Sequence, residues 1–150
     1  MIDVETRVEI SRPVAEVFDF VADQTNAPRW QSGLSEVRRL TEGPLRVGTE
    51  HEFIRRFVGR EVASRNRFIA FEERRYVAFE IPTGWLTGQA SYLTESSPSG
   101  TVLTSRMQFH AHGPAALLEP VLTRVLARDS RRDEGRLKRL LEHETAGRRG

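Results

Sequence analysis

The stretch "LTRVLARDSRRDEGRLKRLLE", residues 122–142, governs how the rest of the chain is read. Leu118, Leu122, Val125 and Leu126 recur at helical spacing, and Leu137, Leu140 and Leu141 resume the pattern on the same side. A helix from about Ala115 to Glu144 is roughly 45 Å long at 1.5 Å per residue. Pro120 lies in or near its first turns, so a kink or a delayed start is expected. At about 100° per residue, Asp129 and Asp133 fall on the face between the two leucine clusters. A carboxylate facing a packed core needs a partner or water. Either the helix borders a wet cavity, or it turns both aspartates to solvent, where Arg132 and Arg136 screen them. Charged together at i and i+4, they repel by a few tenths of a kcal/mol. A nearby arginine, a bound cation or ligand, or one raised pKa relieves that.

Upstream of this helix the period changes to two. In "DVETRVEI", residues 3–10, Thr6, Val8 and Ile10 alternate with Glu5, Arg7 and Glu9, the pattern of a half-buried strand. Pro13 then opens a helix with Val14, Val17, Phe18 and Val21 on one stripe. Pro28 ends it, leaving room for at most a short second helix beside Trp30. Leu34, Val37 and Leu40 suggest the next strand, and "EGPLRVG" reads as a turn-rich connection. "TEHEFIRRFV" and "REVASRNRFIAF" pair around Val58 and Gly59, followed by "YVAFEIP", "WLTGQASYLTE" and "GTVLTSRMQFHAH". Short turns join them, so the middle of the chain is an antiparallel meander.

With 150 residues and no linker or repeat, one domain over residues 1–146 with a short basic tail at 147–150 is expected. No cysteine is present, which excludes disulfides, thiolate metal sites and a Cys nucleophile. No apolar run is long enough to span a membrane, and "MIDVETRVEI" carries no signal-peptide pattern, so a cytoplasmic protein is expected. The pI of about 9.6 looks like a nucleic-acid signal. Yet the formal net charge is only +2, Lys138 is the single lysine, and the arginines are interleaved with acids, so no nucleic-acid partner is expected. G-x-S-x-G, P-loop and dinucleotide fingerprints are absent from the sequence, and no cofactor is expected.

The local words "VEISRPVAEVFDFVADQTNAPRW", "GPLRVGTE", "YLTESSPSGTVLT" and "GRLKRLLE" occur in the order strand, helix, meander, long helix. Over residues 3–144 the chain resembles the SRPBCC or START-like (helix-grip) superfamily, most closely its bacterial polyketide cyclase/dehydrase-type members. The resemblance implies an α+β fold: a curved antiparallel sheet of about seven strands gripping the long C-terminal helix, with two short helices after the first strand. It also implies a cavity for an apolar ligand between sheet and helix.

Strand phase then nominates the lining. Phe53 and Phe57 share a face with His51 and Arg55; Phe79, Tyr92, Met107 and Phe109 follow on later strands. For each aromatic, ordinary core packing is the competing reading. Trp30 and Trp85 each flank a turn and could close a mouth. Tyr92 requires a hydrogen-bond partner if buried. Arg55 either snorkels at the sheet edge or binds an anionic or carbonyl group inside. His110 and His112 alternate onto the opposite face and read as exposed; a third ligand is not visible beside them, so no metal site is expected.

Three functions are compatible with this constellation. The first is a carrier for an apolar molecule, such as a lipid or a polyketide-like or other aromatic metabolite, held by Trp30, Phe53, Arg55, Phe57, Phe79, Trp85, Tyr92, Met107, Phe109 and Asp133. The second is a polyketide cyclase or dehydratase of lyase or isomerase type. In it His51, Asp129 or Asp133 is the base, and Tyr92 or Arg55 stabilises the enolate. The third, an interaction module using the sheet's outer face, ranks last because that face (Glu61, Arg65, Arg67, Thr104, Arg106, Gln108) is polar. A monomer or weak homodimer through an open sheet edge is expected.

Overall fold

The computed structural model describes residues 1–57 and 59–148; the side chains of Phe57 and of residues 144–148, with residues 58, 149 and 150, lie outside the described set. The chain runs β1 (Ile2–Ile10), α1 (Val14–Ala22), a 3-10 turn (Gln24–Arg29), then β2 (Leu34–Arg39) and β3 (Glu50–Phe57). There follow β4 (Arg60–Glu72), β5 (Tyr76–Ile81), β6 (Leu86–Ser97), β7 (Gly100–Ala111), a second 3-10 turn (Gly113–Leu118) and α2 (Glu119–Arg148). The seven strands form one antiparallel sheet in the order β1-β7-β6-β5-β4-β3-β2. This is the curved sheet and long C-terminal helix expected from the sequence.

Alternation places one continuous row of side chains on the inner face, because partners in register share a face. Thr6 on β1 pairs with Ser105 on β7, which pairs with Tyr92 on β6, which pairs with Val77 on β5. The parallel row Val4, Met107, Ala90, Phe79 lies one step along. The outer face carries the paired charges Arg67–Glu80 and Arg106–Asp3, so it is solvated as its polar pattern requires.

Helix α1 closes one end of the inner face. Pro13 caps it, its carbonyl accepting from Glu16 and Val17, and the stripe Val17, Phe18, Val21 and Ala22 is buried. Each of the larger three contributes about 1.5–3 kcal/mol. Asp23 ends α1 and caps the 3-10 turn by accepting from Thr25 N at 3.2 Å. The register of β2 shifts between Leu34 and Glu36, so Leu34 and Val37 are both buried although three residues apart. Leu40, read as part of this strand, lies beyond it and is exposed.

The delayed start of α2 has a clear cause. Residues before Glu119 form the 3-10 turn, and Pro120 sits in the first α-helical turn, where its missing N–H costs nothing. Glu119 ties this start to the sheet: one carboxylate oxygen accepts from Ala111 N at 2.9 Å, the other from the terminal amine of Met1 at 2.9 Å. At the far end Lys138 donates to Glu9 O at 2.6 Å. The helical backbone continues to Arg148, into the stretch read as a tail.

Gly100 fixes the β6–β7 hairpin against the β1–α1 corner. Its φ is +152°, and a Cβ there would stand 2.3 Å from Ile10 O and 2.8 Å from Arg12 N, both backbone atoms that cannot yield. Beside it Thr101 Oγ1 donates to Arg12 O at 2.7 Å. Gly100→Ala is therefore expected to destabilise the fold by about 2–4 kcal/mol, read from urea denaturation.

Candidate functional site

Only Glu134, Leu137 and Leu141 of α2 are buried among the described residues. The helix thus seats on the sheet through its C-terminal half, where Leu137 and Leu141 join Ile10, Val17, Val21, Trp30 and Leu103. Its first half, tied to the sheet at Glu119, turns Leu122 and Leu126 toward a cavity of about 430 Å³. That volume suits a small organic ligand and far exceeds a single water.

Most of the cavity wall is apolar. Phe79, Ala90, Met107 and Phe109 line the sheet side, Phe53 lies toward β2, and Leu122 and Leu126 form the helical side. The side chain of Phe57, assigned to the lining from its phase, lies outside the described set. Trp85 is at the mouth, about half exposed. Trp30 is not a mouth residue: it is buried, and its ring sits 6.0 Å from that of Tyr92, centroid to centroid. Tyr92 also packs against Phe79 at 6.0 Å, so its ring is held between two aromatics.

Polar groups converge at the inner end. The Tyr92 hydroxyl accepts from Gln31 Nε2 at 3.2 Å, which leaves its own O–H free to donate. Burial raises its pKa, with the nearby Glu134 carboxyl adding to the effect. Arg55 also lines the wall and lies over the Phe53 ring at 5.9 Å. More than a third of its surface is reachable through the cavity, yet protein surrounds it, and that burial holds its pKa below the usual value. Tyr92 and Asp133 oppose the shift.

Both aspartates of α2 reach the wall, in different circumstances. Asp133 Oδ1 accepts from Ser32 N at 3.2 Å and Ser32 Oγ at 2.8 Å, which pins the loop after the first 3-10 turn to the helix. Asp129 lies nearer the mouth, 3.6 Å from Arg128 Nε, with its side chain partly exposed. Both aspartates thus border the cavity, and Asp129 is also partly open to solvent.

His51 stands elsewhere. It shares the face of Phe53, as its phase requires, but it is fully buried and not part of the cavity wall. Its ring packs 5.4 Å from Phe68, and neither ring nitrogen has a hydrogen-bond partner among the described residues. Asn66, opposite it in register, donates to Gln24 Oε1 at 2.9 Å and helps to seal this end. Burial drives the His51 pKa down to about 4, so the ring is neutral near pH 7. Strand phase gives the face of a residue but not its depth, and a base must reach substrate. His110 and His112 are exposed.

Sequence reading missed Glu134, Ser105, Gln31 and Ser32. Glu134 is buried with neither oxygen hydrogen-bonded among the described residues, and burial pushes its pKa up to about 7. The neighbouring Thr6 hydroxyl, itself paired with Ser130 at 3.0 Å, eases that shift, and Asp133 adds to it. The Ser105 hydroxyl, one strand from Thr6, is likewise buried without a partner. A signal for Glu134 exists: it lies three residues before Leu137 and seven before Leu141, on the leucine stripe itself.

The sequence matches the family described as "Polyketide cyclase / dehydrase and lipid transport" over residues 1–142. No curated protein matches it. Among solved structures it is similar to TTHA0849 from Thermus thermophilus, with a TM-score of 0.78 at 12% identity, covering 93% of this chain and 96% of that one. It is also similar to the Zhui aromatase/cyclase of a Streptomyces species, with a TM-score of 0.74 at 17% identity, covering 95% and 94%. The di-domain ARO/CYC StfQ from the steffimycin biosynthetic pathway gives a TM-score of 0.75 at 15% identity, covering 97% of this chain and 52% of that one. At these identities the structural likeness concerns the fold, whereas the sequence match over almost the whole length places the chain in the polyketide cyclase/dehydrase and lipid transport family.

Proposed function

We propose that this protein binds an apolar small molecule, a lipid or a polyketide-like or other aromatic metabolite, in the cavity between sheet and α2. The observation that carries this reading is the cavity of about 430 Å³, mostly apolar in its wall, with Arg55, Tyr92 and Asp133 among its polar lining. Apolar walls supply affinity through area removed from water, and Arg55 and the Tyr92 hydroxyl orient a carbonyl, enolate or carboxylate of the ligand. Native mass spectrometry of protein purified from its own host, with organic extraction, tests it. A stoichiometric apolar adduct is expected. A bare mass, with no thermal stabilisation by a panel of lipids, quinones and aromatic polyketides, overturns it.

One observation favours a second reading, catalysis of cyclisation in the same cavity. Asp129 and Arg55 stand on the helix and sheet walls of one chamber, a carboxylate to take an acidic α-proton and a cation to hold the resulting enolate. The Tyr92 O–H is a second donor. Turnover of a poly-β-ketone that Asp129→Asn slows without weakening binding separates this reading from carriage alone.

A further inference from the structure

The second 3-10 turn and the first turn of α2 expose an unusual amount of apolar surface. Leu117 is 87% exposed, Leu118 54% and Val121 58%, and nearby Trp85 is 51% exposed. Trp85 belongs to the same end of the molecule, since its carbonyl accepts from His112 N at 2.8 Å at the entrance to the turn that carries Leu117. Isolated exposed leucines need no explanation, but a cluster around the mouth of an apolar cavity does.

The same helical face changes character farther along. At about 100° per residue, Leu118, Val121 and Val125 are continued by Arg128, Arg132, Arg136 and Arg139, all four exposed. Arg128 has Asp129 as its ion-pair partner, and none of the other three has one among the described residues. One solvent-facing side of a long helix is thus apolar near its start and carries a row of arginines beyond it, with Asp129 at its border.

We propose that this face of α2, with Trp85, is a docking surface for an anionic lipid bilayer. The apolar end enters the headgroup region beside the cavity mouth, while the arginines lie along the surface with their stems down and guanidinia on phosphate or carboxylate groups. Trp85 suits the same boundary, apolar on its ring and polar at its N–H. Charge decides against a second copy of this chain as occupant. A twofold pairing of this face sets the arginine row against its own equivalent or against the apolar end, and neither supplies a counter-charge. The docking surface stands on these residues alone; only the idea that a cavity ligand exchanges directly with the bilayer rests on the function proposed above.

The test is co-sedimentation of the purified protein with vesicles of phosphatidylcholine, alone or mixed with phosphatidylserine, at low and physiological salt. Binding to the mixed vesicles is expected, with a blue shift of tryptophan emission from Trp85 and weakening by salt. Arg132→Glu with Arg136→Glu, and separately Leu117→Ser with Val121→Ser, should each lower binding about tenfold or more. None of these four residues lines the cavity, so the melting temperature and ligand uptake serve as controls for folding. Absence of binding to the mixed vesicles overturns the proposal, as does binding that neither pair alters. Vesicle-free dimerisation abolished by the same variants, or salt-sensitive binding to polyglutamate without vesicle binding, reassigns the face to a protein partner.

Discussion

Ala90→Trp will abolish ligand uptake while leaving the protein folded. Ala90 is on the inner face of β6, between Phe79 and Met107 in register, with its methyl group on the cavity wall. The chamber opens on that side, so an indole grows into the space the ligand would occupy. The usual cost of overpacking, about 1–3 kcal/mol, is offset by apolar contacts with Leu122 and Leu126 across the gap. Uptake of any ligand that fills a chamber of about 430 Å³ should fall at least about a hundredfold, a loss of roughly 3 kcal/mol. Loss of the adduct in native mass spectra, with a melting temperature within a few degrees of the parent, is the expected pair of results. An unchanged adduct would show that the ligand sits outside this cavity.

The features that position this cavity differ in how plainly they appear in the sequence. Alternation in β1 and β7 places Thr6, Met107 and Phe109 on the inner face correctly, because strands half exposed to solvent keep a strict period of two. The long helix is equally plain from its leucines. Depth is not legible. His51 and Arg55 lie in one phase on one strand, yet His51 is sealed beneath Asn66 and Gln24 whereas Arg55 opens on the chamber. What separates them is how far along β3 the chamber extends, a tertiary property that no local pattern encodes. Gln31 and Ser32 escape sequence reading for a related reason: they belong to a loop without periodicity, and only folding brings them to Tyr92 and Asp133. Trp30 reads as a mouth residue because it flanks a turn, but the chain turns inward there and the ring becomes a wall.

Glu134 and His51 together should give the protein a stability profile that is nearly flat from about pH 4.5 to 6.5. The carboxyl of Glu134 ordinarily titrates at 4.5 and is pushed up to about 7 in the fold. Its favourable contribution is complete below pH 4.5 and is lost as pH rises through 7, because the unfolded chain has already released the proton the folded chain must keep. His51 runs the other way: from 6.5 its pKa is driven down to about 4, so its contribution is complete above pH 6.5 and is lost as pH falls through 4. Each slope is about 1.4 kcal/mol per pH unit at its steepest, opposite in sign, and the windows overlap almost entirely. Glu134→Gln leaves the histidine slope alone, so stability should climb by about 2–3 kcal/mol between pH 4.5 and 6.5. His51→Asn leaves the carboxyl slope alone, and stability should fall by a similar amount between pH 4.5 and 7. Urea midpoints across pH decide it, since a constant offset from repacking cannot mimic a slope. Flat profiles in both variants would mean that neither group is buried in the ionisation state argued here. Opposite slopes would show that both groups stay uncharged across this range: one deep behind the cavity, the other at the seam where α2 meets the sheet.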